Sequence, residues 1–383
     1  MKTYDAAVIG AGVFGAWTAL QLARRGKSVI LLEAYGPGHS RSSSGDESRI
    51  IRMGYGKDEI YTRWSQRSLG LWKELFAATR NEALFQQTGV LWLAATGDPT
   101  LRATREVLTR CGVKFTEFDR AALASKCSQF SLDGISEGIY EPESGVLMAR
   151  RAVAAVVAEA ARIGVDYRRV KATAPEGTGR VSAINCTNSG EPFDAREYVF
   201  ACGSWLAKLF PTILGPRIFV TRQVVFYLGV PAGDERFSPA VFPTWLIQND
   251  EYYGMPDLES RGLKFAQDRH GEPVDPDTQS RIVSEEEVNA VREYVAKRFP
   301  ALKDAPIAET RVCQYENTSN GDFLIDRHPE IENVWFAGGG SGHGFKHGPA
   351  LGEYVTRLLL GEEPAEPRFS LAKKETVQRR AVY

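Results

Sequence analysis

The sequence predicts an α/β protein in which a Rossmann-like βαβ domain is interleaved with an α+β domain built on an antiparallel sheet. Three observations predict it. A strand, a glycine turn, a helix, a second strand and an acid follow one another at the N-terminus. A second glycine-rich turn lies near the C-terminus, and two stretches between them mix aromatic strands with polar loops.

The first strand is the apolar run Ala6 to Ile9, which meets Gly10-Ala11-Gly12-Val13-Phe14-Gly15. In such a turn the first glycine allows the tight bend, the second lets backbone approach a pyrophosphate, and the third lets helix pack on strand. Helix-period residues follow as far as Arg24-Arg25-Gly26, where basic residues and a glycine close a helix. The second strand, Ser28 to Leu32, ends in Glu33, placed to accept hydrogen bonds from ribose hydroxyls. Farther on, a helix from Arg151 to Arg162, ended by Gly164, and a strand from Val165 to Val170 return the chain to this sheet. Short strands at Val181 to Cys186 and Glu197 to Ala201 flank a turn at Asn188-Ser189-Gly190.

The intervening stretches supply the second domain. Val224 to Leu228 reads as one of its strands, and Ser284 with Glu287 as a capping box before a helix carrying Val288, Val291 and Val295. Its acids form a solvated face, and Pro300 stops it. The expected division is 1–80, 146–215 and 306–383 for the nucleotide-binding domain, with 81–145 and 216–305 for the substrate domain.

Composition narrows the function. Lys plus Arg number 47 against 48 Asp plus Glu, a net charge of −1, so no basic surface for nucleic acid is expected. The five cysteines, Cys111, Cys127, Cys186, Cys202 and Cys313, form no CxxC pair and no metal-like spacing with the five histidines. An odd count argues against a disulfide framework and for a reducing, cytoplasmic setting without a metal. The uncharged run from Ala6 to Ala23 is broken by Gly10, Gly12 and Gly15, which argues against a membrane span or signal segment. The final Arg-Ala-Val-Tyr is not a peroxisomal address.

The second close-approach site is the run Val334-Trp-Phe-Ala-Gly338-Gly-Gly-Ser-Gly-His-Gly-Phe-Lys346, followed by a helix over Leu351 to Leu360. Bare backbone N–H groups at a helix N-terminus suit something flat or anionic. One cofactor touching both sites would place an adenosine diphosphate at Gly10 to Glu33 and a ring at Gly340 to Lys346. FAD fits this better than NAD, which would need no distal loop.

Gly45-Asp46, Arg49-Ile-Ile-Arg52, Gly89-Val-Leu, Gly145-Val-Leu, Arg222-Gln223, Cys313-x-Tyr315, Asp326-x-His328-Pro329 and Ser341-Gly-His-Gly-Phe-Lys346 accompany the N-terminal motif. Together they resemble the monomeric sarcosine oxidase group of D-amino-acid-oxidase-like flavoproteins, from Asp5 to about Gly361. The resemblance implies FAD, oxidation of a secondary amine, hydrolysis of the imine, and transfer of electrons to oxygen with release of peroxide, by a monomer. It implies a thioether from Cys313 to the flavin and an oxygen-activating role for Lys264. Arg52 and Lys346 would hold the substrate carboxylate, Arg49 would lie near the flavin, and Tyr253 and Tyr315 would contact substrate or flavin. His343 would sit in the flavin loop, while His39, His270, His328 and His347 are expected to be structural or at the surface. The expected cofactor contacts further include Val13, Phe14, Ser42, Ser43, Val170, Gly203, Trp205, Gly340, Gly342, Gly344 and Phe345.

Departures from the resembled pattern fall beside the pocket. Ser42-Ser43-Ser44 stands where the group often has a His, Asp268 stands where it has a His after the lysine, and Glu47 is an added residue. The amine therefore stays open between an N-methyl amino acid, a fructosyl amino acid, and a cyclic imino acid such as pipecolate or proline. A flavin subunit passing electrons to a partner is a further alternative.

Overall fold

In a computed structural model the described residues are 2–187 and 192–379; the expected turn at Asn188-Ser189-Gly190 lies outside them. The N-terminal unit forms as expected: strand Thr3–Ile9, helix Val13–Arg24 and strand Val29–Glu33. At the helix end, the Lys27 N–H donates to Leu22 O and Gly26 takes a positive φ of 74°, so the glycine closes the helix as its position implied.

The main sheet runs in the order Leu324–Arg327, Val334–Gly338, Phe193–Phe200, Thr3–Ile9, Val29–Glu33, Asp166–Arg169, with Ala183–Ile184 paired outside this path. From Val334–Gly338 to Asp166–Arg169 all neighbours are parallel, and the buried apolar residues of the two central strands account for their continuous hydrophobicity. The helices Val13–Arg24, Ala149–Arg162 and Gly348–Leu359 cover one face, sharing a core with Trp17, Val153, Val156 and Tyr354.

The second sheet is eight-stranded and nearly all antiparallel: Ile307–Thr318, Ile218–Leu228, Leu263–Gln267, Tyr252–Met255, Thr244–Ile247, Val90–Ala94, Glu137–Glu141, Thr116–Asp119. Its one parallel pair joins Val90–Ala94 to Thr244–Ile247, stitching the two inserted stretches together. A small sheet of Arg49–Ile51, Gly145–Leu147 and Phe85–Gln86 lies apart from both. The segment from 306, expected in the nucleotide-binding domain, opens with Ile307–Thr318, which pairs along its length with Ile218–Leu228 in the antiparallel sheet. Its mixed sequence, seven polar or charged residues among twelve, specifies neither sheet, and the long-range register decides.

The helix Glu285–Arg298 carries the expected capping box in both directions, with Ser284 Oγ accepting from the Glu287 N–H and the Glu287 carboxylate accepting from the Ser284 N–H. Glu287 is not simply solvated, because it also pairs with Arg222 at 3.0 Å. No helix among the described residues is long and apolar enough to cross a membrane.

Candidate functional site

A cavity of about 370 Å³ opens at the C-terminal ends of the parallel strands, where ligands of open α/β sheets bind. At one end lies the first turn. Gly10 has φ +100°, and a Cβ on Gly15 would stand 1.9 Å from Gly10 O, so the turn tolerates no side chain there. Gly15 therefore packs under the turn, while Gly10, Gly12, Val13 and Phe14 line the cavity. Glu33 Oε2 accepts the Ala11 N–H at 2.7 Å and Oε1 accepts the Tyr35 N–H at 2.9 Å, which fixes the carboxylate toward the cavity with lone pairs to spare. Ser42, Ser43, Val170, Gly203 and Trp205 also line it.

The far end is the glycine loop. Gly340, Gly342, Gly344 and Phe345 form wall, and a Cβ on Gly342, at φ +78°, would meet the Tyr315 ring at 2.8 Å. Ser341 holds φ 45°, stabilised by its hydroxyl, which donates to Gly339 O at 3.0 Å and accepts the Thr318 N–H at 3.1 Å.

Behind Arg49, which also lines the cavity, is a buried charge cluster. Arg49 is ion-paired with Asp46, donates to Ser43 O at 2.9 Å, and brings Nη2 within 3.6 Å of Cys313 Sγ. Lys264 Nζ donates to Asp46 Oδ2 at 2.6 Å, Ser48 O at 2.9 Å and Ser48 Oγ at 3.2 Å, and the Tyr227 hydroxyl donates to Asp46 Oδ1 at 3.2 Å. Burial alone would raise the Asp46 carboxyl, but the Lys264 and Arg49 charges hold it far below the carboxylate range. For Lys264 burial wins over the pull of Asp46, and its ammonium is pushed down to about 8. Lys264 lines a small adjoining cavity with Ser48, Tyr227 and Met255 rather than the large one.

A second pair of cations is Arg52 and Lys346, with the charges of Asp268 and Glu141 acting on Lys346. Arg52 lies between the rings of Tyr55 at 4.4 Å and Trp92 at 4.6 Å, and donates to Gly54 O. Lys346 Nζ donates to the Tyr55 hydroxyl at 2.7 Å and to His343 O at 2.9 Å. Burial first, and Arg52 second, push Lys346 well below its ordinary value. Tyr253 and Tyr315 are hydrogen-bonded to each other, and burial holds both hydroxyls protonated.

Several expected residues take other places. The His343 ring packs flat against Phe323 at 5.0 Å with Nε2 2.9 Å from Gly321 O, so it braces the loop from behind instead of facing the cavity. Cys313 and Lys346 are buried beside the cavity rather than in its wall. His39, expected to be structural or at the surface, lines the cavity between Tyr35 and Trp205 with Nε2 3.9 Å from Glu33. His347 is fully buried with Nε2 2.8 Å from the Tyr55 hydroxyl, and His328 Nδ1 accepts the Glu330 and Ile331 N–H groups, both in keeping with structural roles. His270 meets Gln378. The added Glu47 pairs with Arg150 and Arg311, both at 3.0 Å. Ser44, whose hydroxyl accepts the Val13 N–H at 3.2 Å, and Glu316 were not foreseen as cavity residues; Glu316 had a signal, an acid directly after Cys313-x-Tyr315.

This donor set fits a dinucleotide carrying a flat ring: a backbone cradle that a Cβ would fill, a buried acid beside it, and a second glycine cradle at the other end. Among the described residues no cluster of three or more His, Cys, Asp or Glu could hold a metal.

The pattern of the family described as FAD dependent oxidoreductase matches residues 5–358. The monomeric sarcosine oxidase of Bacillus sp. (strain B-0618) is 30% identical over 368 residues, 93% of this chain and 92% of that protein. The N-methyl-L-tryptophan oxidase of Yersinia pestis (strain Pestoides F) is 27% identical over 97% of this chain and 99% of its own. Among solved structures, L-proline dehydrogenase from P. horikoshii shares the fold at a TM-score of 0.82, with 22% identity and 97% and 98% of the two chains covered.

Proposed function

The chain belongs to the FAD dependent oxidoreductase family, and from that premise we propose that it oxidises the secondary amine of an N-substituted amino acid, such as an N-methyl amino acid. The product is an imine that hydrolyses, and oxygen is reduced to hydrogen peroxide. The observation that carries this reading is the pair Arg52 and Lys346. Both are buried, and their hydrogen bonds go to neutral groups, Gly54 O for Arg52 and the Tyr55 hydroxyl and His343 O for Lys346. Two desolvated cations side by side are costly, and a substrate carboxylate between a planar fork and a point charge would satisfy both. The names of the amino-acid-oxidising relatives support the same substrate class.

FAD, when bound, accepts the hydride equivalent from the carbon beside nitrogen and passes electrons to oxygen. Glu33 and the first turn would hold its adenosine diphosphate, and the loop from Gly340 to Phe345 its ring. The protein's part is orientation and charge. Arg52 and Lys346 fix the carboxylate end. Tyr253 and Tyr315, kept protonated, can direct hydroxyls at the amine. The N-terminus of helix Gly348–Leu359 favours negative charge beside the loop. Lys264, held by Asp46, presents a positive charge for developing negative charge on oxygen. Cys313 is proposed as the point of covalent attachment. Five cysteines free of disulfides support a reducing, cytoplasmic setting, and the name of the Bacillus relative supports action as a monomer.

Anaerobic bleaching of the bound flavin tests the reading, with sarcosine, other N-methyl amino acids, proline, pipecolate and fructosyl amino acids as the panel. At least one N-methyl amino acid should bleach it, and Arg52→Met should raise the concentration needed by about tenfold or more, the loss of a charge-assisted hydrogen bond. Bleaching by none of the panel would favour an electron-passing flavin subunit.

A further inference from the structure

One charged side chain in the cavity has no part in the chemistry above. Glu316 follows Tyr315 on the strand Ile307–Thr318, lines the cavity, and is only 7% exposed. Its Oε1 accepts the Gly340 N–H at 3.3 Å. Its Oε2 is shut off from solvent and has no hydrogen-bond partner among the described residues. Backbone closes around the carboxylate: a Cβ on Gly338 would lie 3.5 Å from Oε2 and one on Gly203 3.7 Å from it. Burial pushes the carboxyl up to about 7 against the pull of the Gly340 and Gly339 amides, and no cation acts on it. A carboxylate on the wall of a binding cavity with one long bond to Oε1 and none to Oε2 has acceptor capacity to spare, which calls for a donor from the ligand.

The position selects which part of the ligand. The adenosine end belongs to Glu33, and the ring end to Tyr315, Arg49 and the glycine loop. A Cβ on Gly10 of the first turn would lie 3.3 Å from Cys202 Cα, one on the neighbouring Gly203 would lie 3.7 Å from Glu316 Oε2, and one on Gly340 would lie 3.4 Å from Oε1, so Glu316 stands between the first turn and the glycine loop. The diphosphate is the poorer partner, because in its ionised form the carboxylate, with no cation beside it, repels an anion. What remains between diphosphate and ring is a chain of hydroxyl groups, which are donors. We propose that Glu316 is an FAD-binding residue that accepts a hydrogen bond from a hydroxyl of the sugar-alcohol chain joining the flavin ring to the diphosphate. The proposal rests on the FAD reading of the cavity. It makes Glu316 the counterpart of Glu33, one acid on each sheet and each on a hydroxyl-bearing part of the same cofactor.

FAD affinity is measured by quenching of flavin fluorescence on the full chain carrying Cys313→Ala, in which no thioether can form. The thermal midpoint of the FAD-free protein is the second readout. Glu316→Ala should weaken FAD binding by about tenfold or more, as expected for a lost charge-assisted hydrogen bond, and leave the FAD-free midpoint unchanged or raised because the open acceptor is gone. Glu316→Gln keeps an acceptor oxygen and should recover most of the affinity. FAD affinity unchanged in Glu316→Ala would overturn the proposal. So would a lowered FAD-free midpoint with unchanged affinity, the mark of a carboxylate that only pins Gly340. A parent protein that binds no FAD would instead overturn the cofactor reading itself.

Discussion

The Asp46 carboxylate sits between two cations that come from different parts of the chain, Arg49 three residues on and Lys264 on the antiparallel sheet. Asp46 and Lys264 are buried and Arg49 is partly so, and the cluster holds one net positive charge with little water to screen it. Lys264 yields first, and its lowered value of about 8 gives a pH signature. The charged ammonium is present below about 8 and is lost as pH rises through it. If that charge assists oxygen, reoxidation of the reduced flavin slows above about pH 8 while anaerobic reduction need not follow the same curve. Lys264→Met should slow reoxidation by about a hundredfold or more, the scale of a lost electrostatic stabiliser, with a smaller effect on reduction. Stopped-flow measurement of the two half-reactions separates them, and equal slowing of both would rule out the oxygen role.

Among the elements, the glycine loop from Gly338 to Gly344 is one that presents bare backbone to the cavity. Gly342 has φ +78° and meets the Tyr315 ring, so Gly342→Ala forces either the backbone out of the left-handed region or the ring away from the cavity. The backbone term alone is about 1–2 kcal/mol. The variant should purify with a lower flavin-to-protein absorbance ratio, and a full complement of flavin would show that the loop relaxes freely. The strand Ile307–Thr318 is the second decisive element. It pairs in the antiparallel sheet yet carries Cys313, Tyr315 and Glu316 to the cavity. The strand's hydrogen bonds lie with the antiparallel sheet, while Tyr315 and Glu316 line the cavity.

On the scale of the molecule, the cavity is walled by both large sheets: Gly10 follows one strand of the parallel sheet and Glu33 ends another, and Tyr315 and Glu316 belong to the antiparallel one. A cofactor filling it would tie the two together, and a bond through Cys313 would fix its ring to the antiparallel side. Flavin should therefore stay with the protein after acid precipitation and be released from Cys313→Ala. A colourless wild-type precipitate would refute the covalent tether. Bound FAD should also raise the thermal midpoint, since a ligand at about a thousandfold its dissociation constant adds about 4 kcal/mol.

The sequence alone determined the first turn, Glu33, the closing Gly26, the Ser284 capping box and the glycine loop. Each depends on backbone geometry or on groups a few residues apart, so spacing and residue type suffice to specify it. It also determined the residue types that a carboxylate-bearing amine and a flavin would need. Tertiary structure alone decided which partners those residues have. Lys264 is tied to Asp46, Lys346 shares Tyr55 with His347 while Arg52 stacks on the same ring, His343 turns behind its loop, and Glu316 keeps an open oxygen in the cavity. In each case the outcome depends on how far burial strips water from a charge and on what distant strand arrives beside it, and neither is encoded in local spacing.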